Sequence, residues 1–227
     1  MKIINDSNKL NYYIKKYNID QIFEDNLLIY SNLHLFKKGE PICKTGDNLD
    51  YFYFLVEGKA KVYTILKNGK SLLLKIYEPF NNFGDIEVIE HSHITTNVDA
   101  LTETLCVGIP LSIIRSNCLD NPIFLRYICK TLSEKLNSFS YRSSLNLLYP
   151  LENRLASYIT SQIVSNEDYI TLTTTFTNIA DLLGTSYRHI NRIFKKLSDE
   201  KIISLEGKRV YIHNKIVLNK LAQDIYK

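Results

Sequence analysis

The spacing of apolar positions changes several times along the chain. In residues 1–30 they fall at helical intervals (Leu10, Ile14 and Tyr17, then Ile22 and Phe23), which predicts one or two short helices. From Leu33 the pattern becomes a series of short β-rich runs over residues 33–36, 51–56, 60–66, 71–76, 95–100 and 105–109. Turn signals separate them at Lys38-Gly39, Thr45-Gly46-Asp47, Glu57-Gly58, Asn68-Gly69 and Asn81-Asn82. Asn68-Gly69, between two alternating runs, predicts a hairpin. Many short strands at close spacing predict an antiparallel barrel or sandwich closed on itself, and the aromatic run Tyr51-Phe-Tyr-Phe54 suits its core.

Pro122 opens a different pattern. Phe124, Ile128, Leu132, Leu136 and Phe139 recur mostly four apart, and the helix they predict runs to about Leu148. Asp120 or Asn121 can cap it, and proline suits its first turn. A helix of about 27 residues extends roughly 40 Å at its rise of about 1.5 Å per residue. A small barrel alone cannot cover it, so it reads as a dimerisation helix pairing with a twofold mate; the alternative is a helix laid across its own barrel. Tyr149-Pro150 ends it as a hinge. Residues 151–165 predict a further amphipathic helix, and residues 169–174 a β-rich segment.

Two short amphipathic helices follow, meeting at one glycine. Phe176, Ile179, Leu182 and Leu183 line the first, and Ile190, Ile193, Phe194 and Leu197 the second. Thr175 is placed to cap the first. Gly184 can take the left-handed conformation that ends it, and Thr185 or Ser186 can cap the second. Ala180, four residues before Gly184, allows the helices to cross closely. This is a helix-turn-helix pattern. The outer face of its second helix carries Tyr187, Arg188, His189 and Arg192, with Lys195 and Lys196 one turn on, side chains suited to base edges and phosphates. Residues 201–212 then read as two strands joined at Gly207, a wing.

Composition narrows the class. A 227-residue chain that is 45% apolar and 23% charged is globular and long enough for one large or two ordinary domains. No apolar run reaches a membrane span and residues 1–10 hold no signal-peptide core, so a cytoplasmic protein is expected. Cys43, Cys106, Cys118 and Cys129 are scattered, which speaks against a zinc knot or iron–sulfur cluster and for isolated buried thiols. Net charge is only +4, but residues 184–215 carry 8 basic and 3 acidic side chains. Positive charge concentrates on and after the second helix of the motif, as phosphate binding requires.

The chain resembles the Crp/Fnr family of bacterial transcription regulators over nearly its full length. Residues 46–58, GDNLDYFYFLVEG, look like the glycine-to-glycine segment of the family's β-roll, and Phe83-Gly84-Asp85 like its FGE turn. Residues 179–192, IADLLGTSYRHINR, with Leu197 and Ile202-Ile203, look like its DNA-binding signature. The resemblance implies an α+β protein: an N-terminal antiparallel β-roll of the double-stranded β-helix (jelly-roll) type, a long dimerisation helix and a C-terminal winged helix-turn-helix. The implied domains are a cyclic-nucleotide-binding-like sensor at 1–120, the dimerisation helix and hinge at 121–150, and the DNA-binding domain at 151–227. It further implies a homodimer on a palindromic double-stranded operator, with RNA polymerase as a partner if it activates, and a signal that rotates the DNA-binding domains about the hinge. Tyr187, Arg188 and Arg192 match the base-reading slots; Thr175, Ser186 and Lys195 fall where phosphate contacts are expected, and His189 shares their helix. The family usually has an acidic residue where Arg188 stands, so a relative's operator does not transfer.

The sensor departs from the family's pattern. Members that bind cyclic AMP hold its phosphate with an arginine–serine pair, and the matching positions here are Ile94 and Thr95. Without that guanidinium no tight cyclic AMP binding is expected. The oxygen-sensing branch uses a cysteine cluster near the N-terminus, and the first 42 residues contain none. An effector, if the protein takes one, is expected near Gly84, Asp85, Thr95 and Thr96; no cofactor or metal is called for. A cupin-like metal enzyme is the competing reading, because His91-Ser-His93 follows Gly84, but Asn97 stands where the glutamate ligand belongs. No P-loop, nucleophile elbow or dinucleotide fingerprint occurs.

Overall fold

The computed structural model describes all residues except 24–26, 68, 70, 164–166, 173–174, 224 and 226–227, and the backbone alone at 142 and 181. The chain forms two compact units, Met1–Leu136 and Asn137–Lys227. The fold is α+β.

Among the described residues of the first unit nine strands make two sheets. One has the order β1 (Lys2–Ile4), β2 (Asn32–Phe36), β9 (Thr104–Pro110), β4 (Tyr51–Glu57), β7 (Asn81–Phe83). The other runs β3 (Pro41–Cys43), β8 (Asn97–Ala100), β5 (Ala60–Ile65), β6 (Ser71–Tyr77). Every pairing is antiparallel. Period-two alternation in β4 explains the roll. Tyr53 and Leu55 point inward to meet Phe36, Val62, Tyr77, Phe83 and Val98 from both sheets. Phe52, Phe54 and Val56 point outward into a second core. That core is closed by α1 (Ser7–Lys16), α3 (Leu111–Asn117) and the first turns of α4 (Pro122–Leu148), through Tyr13, Ile14, Leu111, Ile114, Phe124 and Ile128.

The helix α4 begins as its sequence demands: Asn121 Oδ1 accepts the backbone N–H groups of Ile123 and Phe124 at 2.8 and 3.0 Å. Its outward row is apolar where a soluble helix face would be polar. Leu136 is 66% and Phe139 53% exposed, and Cys129 is exposed as well, whereas Phe124, Ile128 and the half-buried Leu132 of the same predicted row pack on the chain's own barrel.

The second unit packs α5 (Leu151–Ser161), α6 (Phe176–Leu182), α7 (Tyr187–Asp199) and α8 (Lys215–Ala222) on the sheet β10 (Tyr169–Thr171), β12 (Arg209–Ile212), β11 (Ile203–Glu206). Leu155, Ile159, Ile179, Leu183, Ile190, Phe194, Leu197 and Val210 form its core.

Several expectations are corrected. Asn81-Asn82 is no turn but opens β7, because Asn81 pairs with Leu55 and Asn82 with Phe54. Residues 1–30 hold β1 as well as α1, since Ile3 lies opposite His34 and completes the sheet edge. The run at 95–100 becomes a strand only from Asn97. The strand β3 and the helices α2 (Asp85–Glu90), α3 and α8 are too short or too mixed to announce themselves. Cys43, Cys106 and Cys118 are buried, but Cys129 is exposed on α4. The Asn68-Gly69 turn involves Asn68, which lies outside the described residues; β5 and β6 on either side do pair, Ile65 with Ser71. No helix among the described residues is long and apolar enough to cross a membrane.

Candidate nucleic-acid interface

The helix-turn-helix is built around a left-handed glycine. Gly184 has φ of 62°, and the Thr185 N–H reaches back to the Ala180 carbonyl at 2.9 Å, closing the C-terminus of α6. Ala180 is buried and Phe176 meets Phe194 edge-on, ring centroids 4.7 Å apart, so α6 and α7 cross closely. Behind the turn lies Arg154, buried on α5. Its guanidinium donates to the carbonyls of Tyr149 and Leu183 and to Asn146 Oδ1, so it joins the end of α4, α5 and the turn within one network.

Both helices of the motif start with hydroxyl caps. Thr175 Oγ1 accepts the Asn178 N–H and Ser186 Oγ the His189 N–H, each at 3.2 Å. Capping uses a lone pair and leaves each hydroxyl proton free to donate outward. From the first turn of α7, Tyr187 and Arg188 are exposed; Arg192 and Lys195 continue the face one and two turns on. Among the described side chains no carboxylate pairs with Arg188, Arg192 or Lys195. His189 is half-buried, with Nδ1 3.2 Å from Thr185 Oγ1, so its ring backs the turn. Lys196, though exposed, is tied to Glu152 on α5 at 2.6 Å, and this hydrogen bond raises its pKa.

On the wing, the sequence gives no role to Arg209. Arg209 opens β12 beside Gly207, and its guanidinium stands 5.3 Å from the ring of Tyr169. Tyr169 and Tyr211 lie opposite each other in register. A lone arginine after a glycine gives no such signal until strand pairing brings the two tyrosines beside it.

In the first unit the other candidates gather at one corner. Gly84 (φ 102°) ends β7 and starts α2. A side chain there would meet Leu49 Cδ2 at 2.8 Å. Asp85 is buried and forms an ion pair with Lys135 of α4 at 2.7 Å. Thr95 is exposed and Thr96 half-buried; Ile94 is buried, its backbone bonded to Gly46 and Asp47. Glu87, not foreseen from the sequence, is buried nearby. Burial raises its pKa and the charge of Asp85 adds to that, against the backbone N–H groups of Glu87 itself and Thr95. His91 and His93 are exposed, and among the described residues no three His, Cys, Asp or Glu side chains converge as a metal site.

Comparison with known proteins agrees with this architecture. Residues 33–121 match the family model of the cyclic nucleotide-binding domain, and residues 153–221 that of the Crp-like helix-turn-helix domain. Regulatory protein YeiL of Escherichia coli O157:H7 is 29% identical over 199 residues, which cover 86% of this chain and 87% of that protein. The c-di-GMP responsive global regulator CLP of Xanthomonas campestris superposes with a TM-score of 0.71 at 18% identity, over 82% of this chain and 95% of its own. A CRP/FNR-family transcriptional regulator from Thermus thermophilus does so with a TM-score of 0.65 at 20% identity, over 84% and 98%. At those identities the two structures share the fold. With a cyclic nucleotide-binding domain ahead of a Crp-like helix-turn-helix domain, the chain belongs to the Crp/Fnr family and is a transcription regulator.

Proposed function

We propose that the protein binds a palindromic DNA operator as a homodimer and reads it with α7. The observation that carries this reading is the exposed placement of Arg188 and Arg192, with no carboxylate partner among the described residues, four residues apart on one face of a helix capped by Ser186. Each guanidinium can donate two hydrogen bonds to guanine O6 and N7. Tyr187 contacts a thymine methyl or a phosphate; Thr175, Ser186 and Lys195 contact phosphates, and His189 steadies the turn beneath them. Such a site lies in the cytoplasm, where the DNA is.

The apolar row of α4 supports the dimer. Cys129, Leu136 and Phe139 fall at the seven- and three-residue intervals of a two-stranded coiled-coil seam, and exposure of Leu136 and Phe139 in a monomer leaves apolar surface in water. A twofold pair of recognition helices then enters successive major grooves about 34–36 Å apart. The sensor, dimer helix and DNA-binding domain assigned at 1–120, 121–150 and 151–227 are the parts this requires.

Selection of bound duplexes from a random DNA pool, wild type beside Arg188→Ala, tests the reading. An inverted repeat enriched by the wild type and blurred by the variant is expected. Equal enrichment by both overturns the assignment of Arg188, and enrichment of an asymmetric single site overturns the dimer.

A further inference from the structure

The corner formed by Gly84, Asp85 and Glu87 contains two buried carboxyl groups, with Asp85 only 5% exposed at its side chain. A carboxylate at that depth requires a compensating charge. The family resemblance puts an arginine at position 94, but Ile94 is there, buried among apolar neighbours. The compensating cation comes from elsewhere. Lys135 on α4, 50 positions further along the chain than Asp85, places Nζ 2.7 Å from Asp85 Oδ2 and 3.1 Å from the Asn82 carbonyl. The same ammonium stands 5.5 Å from the ring centroid of Tyr77. A carboxylate, a carbonyl and an aromatic face therefore converge on one cation, the set of groups that would hold an organic ammonium.

We infer that Lys135 is the built-in ligand of this site: its ammonium takes the place of a small-molecule effector and fixes α4 on the β-roll, so that operator binding does not wait for a signal. This deepens the reading given above and rests on it. An anionic ligand entering the corner meets Glu87 and must separate Lys135 from Asp85, leaving a buried carboxylate uncompensated. The site is thereby closed to cyclic nucleotides, and what can compete with Lys135 is another cation.

The test uses the full chain, the operator obtained by selection, and Lys135→Ala with methylammonium or ethylammonium as the probe. Two quantities are read: operator affinity, and amide hydrogen exchange in α2 and in residues 122–136. Wild type binds the operator with no addition, and millimolar cyclic AMP leaves its affinity unchanged. In Lys135→Ala exchange in α2 and α4 quickens and affinity falls by at least tenfold, and millimolar alkylammonium restores both. Should Lys135→Ala fail to fold, the charge exchange Asp85→Lys with Lys135→Asp carries the same expectation without the probe: recovery of exchange protection and affinity relative to either single change. Wild type that binds only after a small molecule is added overturns the inference while leaving the DNA-binding reading intact, as does a Lys135→Ala protein whose affinity and exchange match wild type. Exchange that quickens and is restored by alkylammonium, with no duplex retained by any variant, supports the internal ligand and places the failure in the DNA-binding reading.

Discussion

Arg154 donates a hydrogen bond to the carbonyl of Leu183, the residue immediately before the left-handed Gly184. A buried guanidinium on α5 thus holds the turn that sets the angle between α6 and α7. Arg154→Met keeps the volume of the stem but leaves the carbonyls of Leu183 and Tyr149 short of a donor. Hydrogen bonds to a charged group contribute about 1.5–3 kcal/mol each, and the network is shared, so a loss of about 3 kcal/mol in the stability of the DNA-binding unit is expected. Denaturant unfolding of the variant measures it.

Gly184→Ala meets two obstacles. The backbone is at φ 62°, a region that costs an L-residue roughly 1–2 kcal/mol, and the new Cβ would lie 2.9 Å from Asn146 Nδ2. The variant is expected to unfold at lower denaturant concentration. Adding Asn146→Ala removes the clash but also takes a partner from Arg154, so it should not restore the wild-type midpoint. Complete recovery in the double variant would show that backbone strain plays no part.

Arg188 and Lys195 are expected to differ in kind. Arg188→Ala should lose about 1–3 kcal/mol on the selected operator and accept other bases at the position it reads. Lys195→Ala should weaken binding to all duplexes and reduce the salt slope by about one, as one phosphate contact is lost. Titrations of operator and scrambled duplex across a range of salt concentrations separate the two.

Leu136→Glu places a charge on the exposed seam of α4 without touching either core. Sedimentation should show a dimer for the wild type and a monomer for the variant, with little change in unfolding midpoint at low concentration. A variant that stays dimeric would move the interface off α4.

His34 predicts a pH dependence. It is fully buried, with Nδ1 3.3 Å from Tyr53 Oη, and burial, with a smaller contribution from the N-terminal ammonium, lowers its pKa to about 4. In the unfolded chain the value is about 6.5. The unfolded state therefore binds the extra proton between these values, so stability is fully present above about 6.5 and falls as pH drops towards 4, by about 3 kcal/mol in all. Stability measured by urea unfolding from pH 7.5 to 4 should fall less steeply in His34→Gln than in wild type.

Much of this molecule is legible in the order of its residues. Pro122 behind Asn121, the spacing from Phe124 to Phe139, and Gly184 between two amphipathic runs specify α4 and the helix-turn-helix, because capping and helical period are local and act within a few residues. The main strands are legible for the same reason, through the alternation in β4 and its neighbours. What the sequence does not carry is any interaction whose partners are far apart along the chain. Asn81-Asn82 reads as a turn until β4 lies beside it. His189 reads as an outward side chain until Thr185 turns towards its ring. Lys196 reads as a free cation until α5 brings Glu152 within reach, and Lys135 as one more surface lysine until α4 packs over Asp85. In each case local propensity leaves several conformations nearly equal in energy. The choice among them falls to burial and charge pairing, which exist only once the units have closed.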